Sequence, residues 1–406
     1  MKEDFRERAV QCLMLANYTM GGPHILETLI MILTEESLLL KNSTTDGWLL
    51  VNTILRLAIL MGYHRDSDHF PELSAFEAEM RRRVWTTILQ LDFVLSLEKG
   101  LPRGAIETQT DTKQPLNLRD DDFDESTTKL PPPRPEREWT PILPLIAKAR
   151  LRTALGLICD VNANINSLSR PEAARINAIL EDVHERGIPP ALRWDTQPHP
   201  ITESSSLLMQ RIGIETTYHK SRILLWRRIL TTCPAQELRE EDEVPVQICI
   251  DSALKILSFQ ELLFEESQPF GRLAQLKWKI THIFNQDALL ATSILCLYLQ
   301  EEDKFRASGS TVHTTWSSKV EEIRHRLRIS HGIWFQMSET SAEAGKAAKA
   351  LSIVLGVRDV SVVDEAAPRD YDFPADVDGM PLYGFGVGYA DQCKGLRCAH
   401  FVPHVR

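Results

Sequence analysis

The chain has 406 residues, 43% of them hydrophobic and 25% charged, with a formal net charge of −10. That composition supplies a sizeable core and excludes disorder as the default; at roughly 100–200 residues per domain it allows two or three domains or one large one. The negative balance argues against a non-specific grip on nucleic acid, which draws its affinity from cations that neutralise phosphates. Met1–Arg8 mixes both charge signs and lacks the basic-then-apolar plan of a secretory leader. Glu3–Tyr18 and His24–Leu40 then read as two helices broken by Gly21-Gly22-Pro23, and the second is interrupted by Glu27, Glu35 and Glu36. No stretch reaches the about 18 uninterrupted apolar residues of a membrane span, so the expectation is a soluble, intracellular protein.

Thr45–Met61 follows, with Trp48, Val51, Leu55 and Ala58 stepping along one face. The next helix has the clearest start. Ser74-Ala75-Phe76-Glu77 fits a capping box, in which the hydroxyl takes an orphan N–H and the carboxylate reaches back to the cap. Its apolar stripe is Met80, Val84, Ile88, Leu91 and Leu95, and Gly100 and Pro102 end it. Leu101–Glu138 is a long polar connection holding Asp120-Asp121-Asp122 and Pro131-Pro132-Pro133; a connection of that length is functional or loosely ordered. Helices resume at Ile142–Asn166 and after Ser169, where Ser169-Arg170-Pro171-Glu172 gives a second capping box, and Gly187-Ile188-Pro189-Pro190 stops the second of them. Helical spacing continues over Ser204–Leu230, Val246–Phe264, Phe270–Gln300, Val320–Met337 and Ala342–Leu355. Strand alternation is nearly absent, so the fold class is all-α, a large multi-helix bundle. From Arg358 the chain turns acidic, with scattered Val, Tyr and Phe, and reads as a flexible C-terminal tail.

Seven cysteines, odd in number and mostly scattered through apolar helical patterns, read as reduced buried thiols. Arg81-Arg82-Arg83 is the one basic triplet. Consecutive residues of a helix fan out by about 100° each, so the three guanidinium groups make no single phosphate-binding stripe. They are expected to pair with Glu77, Glu79 and the acidic loop. His64-Arg65-Asp66-Ser67-Asp68-His69 offers metal-ligand side chains, but it follows Gly62 and has no helical His pair, so it reads as a solvated connector. Cys393, Cys398, His400 and His404 are zinc-ligand types, but structural sites usually carry a tighter Cys pair and a longer gap before the histidines, so the run is a weak motif match that leaves zinc binding open. Gly384, Gly386 and Gly388 lack the strand and helix that a phosphate loop requires, and no hydrolase elbow, zincin or Walker motif occurs.

Leu57–Asp66, read Leu-Ala-Ile-Leu-Met-Gly-Tyr-His-Arg-Asp, resembles a signature of the regulatory (middle homology) domain of fungal zinc binuclear-cluster transcription factors. Phe76–Trp85 resembles that family's Glu-x-Arg-Arg-Arg helix start, and Asp92 its following Asp. Gly100-Leu101-Pro102 and Pro115–Phe123 resemble its Gly-x-Pro and Pro-x-Asn-x-x-Asp motifs. Tyr218–Leu230, with Trp226-Arg227-Arg228 in place of the usual His-Arg-Pro, and Asp287–Leu299 agree more loosely, and the likeness runs to about residue 355.

The resemblance implies a regulatory domain over residues 1–357, N-terminally incomplete, followed by the acidic and aromatic tail 358–406. It marks His64, Arg65, Asp66, Glu79, Arg81, Arg82, Arg83, Trp85, Asp92, Gly100, Pro102, Pro115, Asn117 and Asp120 as signature residues with structural roles, and assigns no catalytic, metal or cofactor residue. Complete members carry a six-cysteine zinc cluster before this domain. No Cys-x-x-Cys occurs in this chain, so DNA would be reached indirectly or through such a cluster outside it.

In this arrangement Met80, Val84, Ile88 and Leu91 face the core. The arginines and Glu79 lie at the helix edges and tie down the acidic loop, and Asp92 needs a partner if buried. The functional expectation is a nuclear transcription regulator of a fungal metabolic or secondary-metabolite pathway, partnered by other regulators or the transcription machinery. The alternatives are a ligand-sensing module with a small-molecule effector and, last, a pathway enzyme.

Overall fold

The computed structural model describes residues 2–39, 45–105, 107–164, 168–194, 203–232, 242–279, 282–307, 319–339 and 341–356. Every long regular element among them is a helix: α1 (Lys2–Leu15), α2 (Ile25–Leu39), α3 (Thr45–Leu60), α4 (Ala75–Lys99), α5 (Leu143–Ala163), α6 (Arg170–Asp182), α7 (Ser205–Thr232), α8 (Glu243–Glu266), α9 (His282–Ala307), α10 (Val320–Met337) and α11 (Ala342–Leu355). Contacts divide the chain into two compact units, Met1–Glu215 and Thr216–Arg406.

In the first unit α2 packs on α3, α3 on α4, α4 on α5 and α5 on α6. Leu26, Leu29, Leu33, Val51, Ile54, Leu55, Ala58, Val84, Trp85 and Ile88 form one apolar core. α4 is its axis. Its capping box closes in both directions: Glu77 N donates to Ser74 Oγ (3.2 Å) and Ser74 N to Glu77 Oε2 (2.8 Å). At the other end Gly100 takes the left-handed conformation (φ 64°), which a glycine adopts without steric cost. The expected stripe is only part of what α4 buries. Val84, Ile88 and Leu95 are buried, but Met80 and Leu91 are half-buried, and Glu79, Arg83, Asp92, Ser96 and Glu98 are buried on other sides. Glu79 is therefore interior, not an edge residue. α6 runs on into a wide turn at Val183–Gly187 before Ile188-Pro189-Pro190, and at its start Glu172 N donates to Ser169 Oγ (3.4 Å).

In the second unit α9 and α10 pack on α8, and α11 lies along α10. Among the described residues Phe259, Tyr298 and Trp334 are its largest fully buried side chains. The helical spacing over Phe270–Gln300 is broken. Ala274–Lys279 forms a short 3-10 segment, and the long helix starts only at His282. Phe270 has φ 74°, so the chain reverses there, while Leu273 and Leu276 imitate a helical stripe in the sequence. Cys159 and Cys249 are buried thiols, as expected of them, whereas Cys12 is exposed. Burial pushes the Cys249 thiol up to about 12. The tail 358–406, with Cys393, Cys398, His400, His404 and the glycine run, lies outside the described residues.

Candidate functional site

Three consecutive arginines at the start of α4 point in three directions, and each meets a different wall. Arg81 lies over the Tyr63 ring (4.2 Å to its centroid) and the Phe70 ring (5.0 Å), and its Nη2 donates to the Met61 carbonyl (3.2 Å). Arg82 grips Asp66 with two bonds, Nε to Oδ2 (3.0 Å) and Nη2 to Oδ1 (2.8 Å), and reaches Asp68 Oδ1 (3.0 Å). Arg83 donates to Glu79 Oε1 (3.1 Å), Asp120 Oδ1 (2.7 Å) and the Leu118 carbonyl (2.8 Å), with its guanidinium over the Phe123 ring (4.8 Å). The expected pairing with Glu79 and the acidic loop thus belongs to Arg83. Arg82 turns back to the His64–His69 run, and Arg81 binds aromatic faces and a carbonyl. Arg82 and Arg83 are committed as forks in this way, whereas Arg81 engages one N–H and its Nε is buried without a hydrogen-bond partner.

The His64–His69 run is a connector exposed only in part: Arg65, Asp68 and His69 face solvent, while Asp66 and Ser67 are buried. Gly62 (φ 75°) ends α3, and its missing Cβ would stand 3.3 Å from the Phe70 ring. Asp66 is buried and caps the turn Ser67–His69 by accepting from Asp68 N (3.1 Å). Residues 110–116 of the long connection run beside it as a strap. Asp111 accepts from Asp66 N (2.8 Å), Arg65 Nε (3.1 Å) and His69 Nε2 (2.8 Å). Lys113 N donates to Asp66 Oδ2 (2.8 Å), and Thr112 Oγ1 to the Tyr63 carbonyl (2.7 Å). The His64 carbonyl takes Thr110 Oγ1 (2.9 Å), which in turn accepts from Trp85 Nε1 (2.9 Å). The His64 ring sits against Trp85, with centroids 6.5 Å apart. Among the described residues no group of three or more His, Cys, Asp or Glu is placed to hold a metal ion.

Two buried carboxylates fasten the strap to α4. Glu79 accepts from Leu116 N (3.1 Å) besides Arg83. Asp92 accepts from Gly104 N (3.0 Å) and Ala105 N (3.0 Å). A Cβ on Gly104 would stand 2.5 Å from Asn52 Oδ1 and 2.7 Å from Leu55 Cδ2, so only glycine brings the main chain within reach of Asp92. Further along, Pro115 is buried, and buried Asn117 donates to the Arg134 carbonyl (3.1 Å) while accepting from Thr140 Oγ1. Arg134 grips Asp122 with two bonds (2.8 and 2.6 Å), and Arg103 packs over Gly156 to reach Asp160 (2.9 Å). Pro102 is exposed, and its carbonyl accepts from Ser96 Oγ (3.4 Å).

The electrostatics separate these acids. Burial pushes Asp66 upward, but Arg82's hydrogen bonds and the N–H groups of Lys113 and Asp68 outweigh it and hold the carboxyl well below the usual range. Burial dominates for Glu79 and Asp92 and raises both, against Arg83 and Leu116 N–H in the first case and Gly104 and Ala105 N–H in the second. A raised carboxyl is a common mark of a general acid. Here both are enclosed by their own chain's donors, an arrangement that locks a backbone path in place. Sequence reasoning missed Asp111, Gly104, Arg103 and Arg134. Only Gly104, two residues after Pro102 at a helix end, carried a local signal.

Comparison with known proteins bears on the same stretch. Residues 23–184 match the model of the fungal-specific transcription factor domain. The chain is 42% identical over 357 residues to the fusarisetin A cluster transcription factor of Fusarium sp. (strain FN080326), covering 88% of this chain and 46% of the relative. It is 40% identical over 404 residues to the pyrrolocin cluster transcription factor of a fungal species (strain NRRL 50135), covering 99% and 51%. It is 38% identical over 378 residues to a Zn(2)-C6 fungal-type transcription factor of Macrophomina phaseolina, covering 93% and 50%. The chain therefore spans about half the length of these curated relatives. No solved structure matches it.

Proposed function

From the premise that residues 23–184 are a fungal-specific transcription factor domain, we propose that the protein regulates transcription of a biosynthetic gene cluster from within the nucleus and is not an enzyme. The observation that carries this reading is identity of 40–42% to relatives named as cluster transcription factors. The clasp formed by the strap, the His64–His69 turn and the α4 arginines supports it. The signature residues from His64 to Asp120 act as structural fasteners, so α4 and the strap form a fixed platform. On this reading the helical surface meets other transcription regulators or the transcription machinery, and contact with DNA is made through other residues or another protein. No described helix is long and apolar enough to cross a membrane.

The test is deletion of the gene followed by RNA sequencing. Transcripts of one biosynthetic cluster are expected to fall several-fold. Unchanged transcripts across every such cluster would overturn the reading.

A further inference from the structure

α10 and α11 pack as an antiparallel pair whose register is fixed at two points. His331 Nε2 lies 2.8 Å from Ser352 Oγ, and a Cβ on Gly345 would stand 3.6 Å from Ser338 Cβ. With 331 opposite 352 and 338 opposite 345, Phe335 is level with Lys349, and Arg328 is level with the end of α11. Arg328, Phe335, Lys349 and Ile353 are all exposed along this seam. Neither cation has an acid three or four positions away on its own helix, the spacing at which helical ion pairs form. Among the described residues neither pairs with a carboxylate elsewhere. A chain of net charge −10 thus keeps two uncompensated cations on one face, beside two apolar side chains.

Gly356 closes α11 in the left-handed conformation (φ 63°) and turns the chain off the helix axis, level with Arg328. Residues 359–378 follow, with seven acids against one arginine and with Val360, Val362, Val363, Tyr371 and Phe373 among them. At about 3.3–3.6 Å per residue Asp359 stays within about 11 Å of Gly356. The seam from Leu355 back to Ala348 is only about 10 Å long at 1.5 Å per residue.

We propose that residues 359–378 occupy this seam of their own chain, with carboxylates on Arg328 and Lys349 and apolar side chains over Phe335 and Ile353. The positive face selects an acidic occupant, and its exposed apolar side chains select one that carries apolar groups as well. The short tether presents this segment at an effective concentration on the order of millimolar, so weak individual contacts suffice. The inference is independent of the regulatory reading: unchanged cluster transcripts on gene deletion would remove that reading and leave this one intact.

The experiment treats the full chain with a carbodiimide, which joins a lysine amine to a carboxylate it touches, and maps the products by mass spectrometry. An equal mixture of light and ¹⁵N-labelled chains separates links within one chain from links between two. The expected result is a Lys349 link to an acid of 359–378 within one chain. Its yield falls at least three-fold in Arg328→Glu, in Phe335→Gln and in 1 M salt, with the Tm of both variants unchanged, because both residues are exposed. On the wild-type chain a synthetic peptide of residues 359–378 at millimolar concentration lowers the yield by competing for the seam. No Lys349 link to this segment would overturn the proposal, as would a yield indifferent to Phe335→Gln or to the peptide, which would mark a chance encounter of opposite charges. Links of mixed isotope alone would overturn it by assigning the seam to a second copy.

Discussion

Replacing Arg82 with Ala removes both bonds to Asp66 and the bond to Asp68. The Asp66 side chain is 4% exposed and Arg82 12%, so solvent screens neither. The carboxylate keeps two N–H donors, from Lys113 and Asp68, and the exposed Lys113 ammonium at 3.9 Å, but loses its bidentate counter-charge. Breaking a buried pair from one side costs about 3–5 kcal/mol, and the retained N–H bonds place Arg82→Ala near the lower value. In a unit the size of residues 1–215 each kcal/mol moves Tm by about 2–4 °C, so a fall of roughly 6–12 °C is expected. Urea unfolding followed by circular dichroism measures the free energy directly. Arg82→Lys should recover only part of the loss, because an ammonium lacks the planar fork. Adding Asp66→Asn to Arg82→Ala removes the orphaned charge, so the double variant should be less unstable than the sum of the singles by about 1–3 kcal/mol. Arg82→Ala within about 0.5 kcal/mol of wild type, the range of an ordinary surface substitution, would refute the reasoning.

Asp92→Ala leaves the N–H groups of Gly104 and Ala105 without their acceptor, at about 1–3 kcal/mol each; an unchanged thermal melt would contradict that role. Gly104→Ala drives a methyl group toward Asn52 and Leu55, and overpacking of this kind costs about 1–3 kcal/mol by the same melt. The pH dependence follows from the signs. Asp66 is held below its unfolded value, so its contribution is complete above about pH 4 and fades as pH falls further. Glu79 and Asp92 are raised, so theirs is complete below about pH 4 and is lost as pH rises through their folded values. Arg82→Ala should therefore show a weaker loss of stability below about pH 4 than wild type, read from urea midpoints across pH.

Much of the framework was legible because its signals are local. The Ser74–Glu77 box, the Gly100 cap and the limits of α10 and α11 each rest on a few adjacent residues. What escaped is non-local. Nothing in the sequence says that Arg82 chooses Asp66 over Glu77, because the choice depends on where α3 and Gly62 deliver the turn. Asp92 was expected to need a partner, and its partners are backbone N–H groups, which every sequence contains and none advertises. Asp111 lies in a polar stretch with no periodicity, yet it ties Arg65, Asp66 and His69 together. The helical spacing past Phe270 failed for the opposite reason: Leu273 and Leu276 sit at helical intervals, while the backbone at Phe270 ends any such run.

Amide hydrogen exchange on the wild-type protein tests the clasp most directly, because the N–H groups of Asp66, Gly104, Ala105, Lys113 and Leu116 all end on carboxylates of the site. The structure predicts that these five amides exchange as slowly as those of α4, although all five lie outside the helices. Exchange as fast as an open loop, with α4 still protected, would show that the strap is not held and that the signature arginines do not fasten it.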